Sequence, residues 1–132
     1  MTRRQTGSRR PCRTTKAILG DAAELEALGF LKRQGLRLVT RNFRCRAGEI
    51  DLVMRDDTCL VIVEVRFRSG TFVDPALSVD TSKQRKLVRA ASFFLGSNPT
   101  LAELAVRFDV VAVGRASDTR GRIQWLADAF RV

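Results

Sequence analysis

The stretch from Thr58 to Arg68, TCLVIVEVRFR, limits the fold more than any other part of the chain. Its centre, Leu60-Val61-Ile62-Val63, offers no polar side to water, so a strand there must be covered on both faces. The run is well short of the roughly 18 apolar residues that read as a membrane-crossing helix. Glu64 stands near its end, and the preceding segment, AGEIDLVMR over 47–55, carries Asp51 within an alternating pattern. Carboxylates are costly in such strands unless a cation meets them, so each needs either a basic side chain or a metal.

The flanking segments supply the covering layers. Residues 15–34 read as a helix with Ile18, Ala22, Leu25 and Gly29 on one face, Leu28 and Leu31 beside it, and Gly35 as its C-cap. LRLVTRNF (36–43) reads as a first strand, 47–55 as a second and 58–68 as a third. A loop over 69–79 contains Gly70 and Pro75. Asp80, Thr81 and Ser82 offer an N-cap to a second helix over 82–95, ended by Gly96 and Pro99. AVRFDVVAV (105–113) is a fourth strand, and 121–130 holds a fifth strand or a mixed end. This order predicts an α/β fold, with helices flanking a mixed central sheet. The connections within 36–68 are too short for crossover helices, which excludes a doubly wound arrangement.

Strand alternation places Glu49, Asp51 and Val53 on one face, and Ile62, Glu64, Arg66 and Arg68 on one face of the next strand. If Asp56-Asp57 centres a two-residue hairpin, Asp51 pairs with Ile62 and Glu49 with Glu64. Asp51 and Glu64 are then diagonal neighbours, and a one-residue slip would separate them. Like charges side by side in a sheet call for a cation, and Mg²⁺ or Mn²⁺ held by two carboxylates and a substrate phosphate meets that need. The competing reading is a buried ion-pair network with Arg66, Arg68 or Arg44.

Two helical residues bear on the choice. Glu24 shares the row of Leu28 and Leu31 and can lean toward the sheet, although a boundary acid reaching for water fits the same spacing. Lys83 heads the row Lys83, Leu87, Ala90, Phe94. It is aimed at the sheet from a first helical turn, where the dipole disfavours a cation unless an anion is near. Asp109, inside VRFDVV, reads as structural, paired with Arg107 or with the C-terminal segment.

Charge points to a polyanion. The net charge is +10, and six of those charges lie in residues 1–16, which contain no acid. That segment reads as a disordered basic arm on a single domain over 17–132. Arm and body together suggest a nucleic-acid partner, though the arm alone also fits added solubility. Histidine and tyrosine are both absent, which excludes histidine acid–base catalysis and histidine metal ligation. Three cysteines without CxxC spacing give no disulfide framework or zinc site and suit the reducing cytoplasm. No membrane role is expected. Phe93-Phe94 and the apolar third strand raise a homodimer as an expectation, against the plainer reading that they are core.

Taken together, Gly20-x-x-x-Glu24-x-x-Ala27, Arg41-Asn42-Phe43-Arg44, Gly48-Glu49-Ile50-Asp51-Leu52-Val53, Val63-Glu64-Val65-Arg66, Lys83-Gln84-Arg85-Lys86 and Arg107-Phe108-Asp109-Val110-Val111 resemble the small bacterial YraN family. The resemblance covers nearly all of 17–132. It implies a PD-(D/E)xK nuclease-like protein with a restriction-endonuclease-like αβββαβ core, near the Holliday-junction resolvases. It also implies a metal-dependent action on DNA, branched or damaged DNA included, with Mg²⁺ or Mn²⁺ on Glu24, Asp51 and Glu64. Arg66 falls where that superfamily has lysine. An arginine there can clamp phosphate but not serve as a base, and Lys83 can supply the amine from the helix. Arg41, Arg44, Arg46, Arg85, Lys86 and Arg89 are then the expected backbone contacts. The alternative is an inactive nucleic-acid-binding or protein-interaction module of the same fold.

Overall fold

The computed structural model describes residues 15–67, 79–114 and 123–131, with backbone alone for 15–19. The basic arm, apart from its last two residues, lies outside the described residues, as do Arg68 and most of the 69–79 loop.

The element order is α1 (Thr15–Arg33), β1 (Arg37–Cys45), β2 (Gly48–Arg55), β3 (Cys59–Phe67), α2 (Thr81–Ser97), a 3₁₀ turn (Pro99–Leu101), β4 (Ala105–Val113) and β5 (Ile123–Phe130). The five strands form one sheet in sequential order. β1–β2, β2–β3 and β4–β5 are antiparallel, and β3–β4 is parallel. The parallel pair requires a crossover, and the segment carrying α2 supplies it. The arrangement is a mixed α/β sheet with a helix on each face, consistent with a restriction-endonuclease-like core.

The two faces have separate cores. Ala23, Ala27, Leu28 and Leu31 of α1 pack on Leu52, Met54, Val61, Val63, Val111 and Val113. Leu87, Ala90, Ala91 and Phe94 of α2 pack on Ile50, Val53, Leu60, Ile62, Phe108 and Val110. Each fully buried Leu, Val or Phe contributes about 1.5–3 kcal/mol relative to exposure, so β3, with both faces covered, is the centre of stability. The expected α2 row is borne out. The α1 row is not: Leu25 is 54 % exposed and Ala22 is exposed, whereas Ala23 and Ala27 are buried. Small alanines let the helix backbone approach the sheet closely, so bulk was a poor guide to the buried face.

Helix ends follow the sequence signals. Gly35, at φ +99°, caps α1, with Gly35 N–H donating to Lys32 C=O and Leu36 N–H to Leu31 C=O. The Asp80 carboxylate caps α2 by accepting from Lys83 N–H at 2.8 Å. α2 continues through Gly96 and stops at Asn98, where Pro99 opens the 3₁₀ turn.

The β2–β3 register differs from the expected one. Arg55 pairs with Leu60 and Leu52 with Val63. The turn centre lies one residue later than expected because the Asp56 carboxylate accepts from both Thr58 N–H and Cys59 N–H. That shifts the pairing by two residues, which preserves the faces of the paired residues Leu52–Arg55 and Leu60–Val63.

β2 also departs from strict alternation. Val53 and Ile50 both lie in the α2-side core, whereas Leu52 and Met54 lie in the α1-side core. The strand therefore turns over around Asp51. Its β1 neighbour Asn42, bracketed by the pairs Arg41–Leu52 and Phe43–Ile50, has φ +52°.

Candidate active site

Asp51 occupies that turnover, at the point where the regular β2–β3 ladder ends at Leu52–Val63. Beyond it a side chain replaces the backbone partner: Val65 N–H donates to Asp51 Oδ2 at 2.8 Å. The carboxylate is thereby fixed between the diverging strands.

Glu64 is buried, at 6 % exposure, and its charge meets two cations. Arg66 Nε lies 3.2 Å from Glu64 Oε2, as an ion pair whose alignment falls short of a hydrogen bond. Lys83 Nζ approaches the same oxygen at 3.7 Å from α2. Lys83 thus points at the sheet, as its row predicts. Even with these partners, burial and the nearby Asp51 push the Glu64 carboxyl up to about 7.

Glu24 enters from α1, on the arc between Ala23, Ala27 and Leu31. Its Oε1 is buried and has no hydrogen-bond partner. Burial, then Asp51, raise its carboxyl to about 7, against a smaller opposing effect from Arg41. Arg41 is opposite Leu52, on the α1 side. Asp51 is raised as well, by burial above all, although Val65 N–H and Lys83 act the other way. Asp51 is therefore the link: Glu24 and Glu64 each couple to it, one from each side of the sheet.

Among the described residues, no group of three or more acidic or cysteine side chains is arranged so that it could hold a metal ion together. The set is open, centred on one carboxylate with a second on either side. With Glu24 Oε1 orphaned and all three carboxyls raised, the chemistry of the set would suit a divalent cation that takes one or two of these carboxylates, such as Asp51 with one neighbour, and fills its other positions with water and phosphate.

The basic residues fall into two groups. Arg44 and Arg46 sit at the β1–β2 turn. Arg44 lies 3.5 Å from Glu49, and Arg46 lies over the Phe93 ring at 5.9 Å. Lys86 packs against that turn, its Cβ close to Gly48. Arg85 and Arg89 lie on the other flank of α2, facing Phe130 and Arg131 of the C-terminal segment. The Phe93-Phe94 pair splits: Phe94 is core and Phe93 is 40 % exposed.

Asp109 is structural, as expected. Only 1 % exposed, it accepts from Arg107 Nε at 2.9 Å, Arg107 Nη2 at 3.0 Å, Trp125 Nε1 at 2.8 Å and Asp128 N–H at 2.9 Å. It ties β4 to β5 and is no part of the acidic cluster.

Two features of the site escaped the sequence. One is Asn42, whose only signal was an asparagine inside a strand. The other is the Val65 amide, a backbone group that leaves no signal.

Comparison with known proteins yields a consistent set. A family model described as "Uncharacterised protein family UPF0102" matches residues 23–113. A UPF0102 protein of Pseudomonas putida strain W619 is 50 % identical over 112 residues, 84 % of this chain and 91 % of its own length. One from Xanthomonas euvesicatoria is 52 % identical over 113 residues, 85 % and 90 % of the two chains. One from Saccharophagus degradans is 49 % identical over 112 residues, with 84 % and 91 % covered.

Proposed function

We propose, from the premise that this chain belongs to the UPF0102 (YraN) family, that it is a metal-dependent nuclease-like protein acting on DNA. The observation that carries the reading is Asp51 at the strand divergence, with Glu24 and Glu64 pushed up to about 7 on either side and Lys83 aimed at Glu64. Such a cluster costs stability, and cations are what would relieve it.

Glu24, Asp51 and Glu64 would hold Mg²⁺ or Mn²⁺, which when bound polarises a phosphate and makes a water easier to deprotonate. Asp51 is held in place by Val65 N–H and supplies the fixed ligand. Glu64 would turn part of its charge from Lys83 and Arg66 toward the cation. Those two cations would then be free to meet the scissile phosphate and its developing negative charge. Arg44, Arg46 and Lys86 would hold the backbone at the β1–β2 turn beside α2, and Arg41 would contact it from the α1 side.

One feature favours a second reading, that of a binding module without catalysis. Arg66 stands where a base-competent lysine would be needed, and an arginine side chain does not surrender its proton. The compartment we propose is the reducing cytoplasm, since Cys45 and Cys59 are both free thiols. Among the described residues, no helix is long and apolar enough to cross a membrane.

The test is cleavage of plasmid, single-stranded and four-way-junction DNA with Mg²⁺ or Mn²⁺, run beside Glu64→Ala. Cleavage that disappears in the variant supports the nuclease. Salt-sensitive binding with no cleavage in either protein supports the second reading. Absence of saturable, Asp51-dependent Mn²⁺ binding sinks the metal site.

A further inference from the structure

α2 has a second working side that the acidic cluster does not use. Lys83 turns toward Glu64, but its neighbours Thr81 and Gln84 line a cleft of about 290 Å³ on the β5 side, with Arg85, Val88, Arg89, Phe130 and Arg131. Phe130 and Arg131 also form one wall of an adjoining cleft of about 450 Å³ that includes Val106 and Arg107. The two clefts share Phe130 and Arg131, and the first begins about one helical turn from Lys83.

Its chemistry has two parts. The floor is carbon: Val88, Val106, which is 38 % exposed, and Phe130, which stacks on Phe108 at 4.9 Å and 20°. The rim is cationic. Arg131 leans on Asp128 at 2.7 Å and Arg107 is engaged by Asp109, but among the described residues Arg85 and Arg89 have no acidic partner. Phosphates alone would be met by arginines on an open surface. A flat apolar floor edged by unpaired guanidinium groups suits a ligand that is both planar and anionic.

We infer that this cleft takes unpaired nucleotides of a nucleic-acid strand, with a base laid against Phe130 and Val88 and the flanking phosphates on Arg85 and Arg89. A base within a duplex keeps its faces stacked on its neighbours and cannot use the floor, so the cleft selects single-stranded ends or tails over blunt duplex. The inference rests on the nucleic-acid reading above and narrows it to a substrate with an unpaired segment leading toward Lys83 and Glu64.

The test is fluorescence anisotropy in EDTA, which removes the metal site from the measurement. The probe is a labelled oligothymidine, compared with a blunt duplex of equal length, using the full chain, Phe130→Leu and the double variant Arg85→Gln/Arg89→Gln. Phe130→Leu keeps an apolar side chain against Phe108 but loses the ring stack, and is expected to weaken single-strand binding roughly fivefold or more while leaving duplex binding unchanged. The surface double variant, which carries no folding risk, is expected to weaken it further. Single-strand binding equal to wild type in the double variant overturns the inference. So does equal displacement of the probe by polyphosphate or an acidic peptide, which would make the cleft a plain anion site. Asp51-dependent Mn²⁺ binding is measured separately, so the cleft and the metal site can each fail alone.

Discussion

Asn42 stands opposite Asp51 across β1–β2, and it does so with a left-handed backbone, at φ +52°. Both strands turn over at this pair, which is how Asp51 leaves the regular ladder and reaches Val65 N–H. Asparagine is one of the few residues that tolerate that conformation, because its short side chain can hydrogen-bond locally. Asn42→Val is therefore expected to destabilise the fold by about 1–2 kcal/mol, with Asn42→Gly within about 0.5 kcal/mol of wild type. Urea denaturation checks both. An Asn42→Val variant as stable as wild type would show that the turnover stores no strain.

The acidic cluster sets a pH signature. Glu24 and Glu64 ordinarily ionise near 4.5 and are raised to about 7 in the fold, so between those values the folded protein holds more protons than the unfolded chain. Stability without divalent ions should fall as pH rises through that window and level off above it. Neutralising one acid should relieve the strain: Glu64→Gln is expected to gain about 1 kcal/mol at pH 8 in EDTA, and to lose that advantage when Mn²⁺ is added. Thermal melts in EDTA and in Mn²⁺ read both effects.

The same protons must leave when a cation binds. Mn²⁺ affinity should tighten from about pH 6 to about pH 8 and flatten beyond, with proton release near the lower end. Calorimetry in two buffers of different ionisation enthalpy measures the released protons directly. Affinity independent of pH over that span would remove Glu24 and Glu64 from the ligand set.

The strands, both helices and the inward aim of Lys83 were legible in the residues, because each rests on short-range periodicity. Glu24 was ambiguous for the same reason. Its row was readable, but the buried face of α1 is carried by Ala23 and Ala27, which periodicity underweights beside Leu25. The β2–β3 register depended on a side-chain interaction, the Asp56 carboxylate on Thr58 and Cys59 amides, that shifts the turn by one residue. A two-residue turn that slides by one moves the register by two and leaves the faces of the paired residues unchanged, but the turnover of β2 around Asp51 had no local signal. The cleft beside Phe130 joins α2 to the last strand, and no local pattern reports contacts of such separation.

Asp109 tests whether acids in this sheet have distinct roles. It is saturated by Arg107, Trp125 and the Asp128 amide, so Asp109→Ala leaves a half-buried guanidinium, an indole N–H and a backbone N–H without their acceptor. A loss of about 3–5 kcal/mol is expected. The protein's single tryptophan makes the change visible by fluorescence during urea unfolding. Under folding conditions Mn²⁺ affinity should be unchanged, in contrast with Asp51→Ala.

Arg66 separates a working site from a binding one. It and Lys83 converge on the same Glu64 oxygen, at 3.2 and 3.7 Å, so either can move onto a phosphate when Glu64 turns to a cation. Only lysine can also exchange a proton. If Lys83 provides that function, Lys83→Met should lower cleavage by about 10²-fold, while Arg66→Lys changes it by less than about tenfold. If no residue provides it, wild type should be nearly inert and Arg66→Lys should raise cleavage by about 10²-fold at unchanged DNA affinity. Single-turnover rates on one substrate, with binding measured in parallel, distinguish the outcomes. Cleavage indifferent to both substitutions would place the chemistry outside this pair of residues.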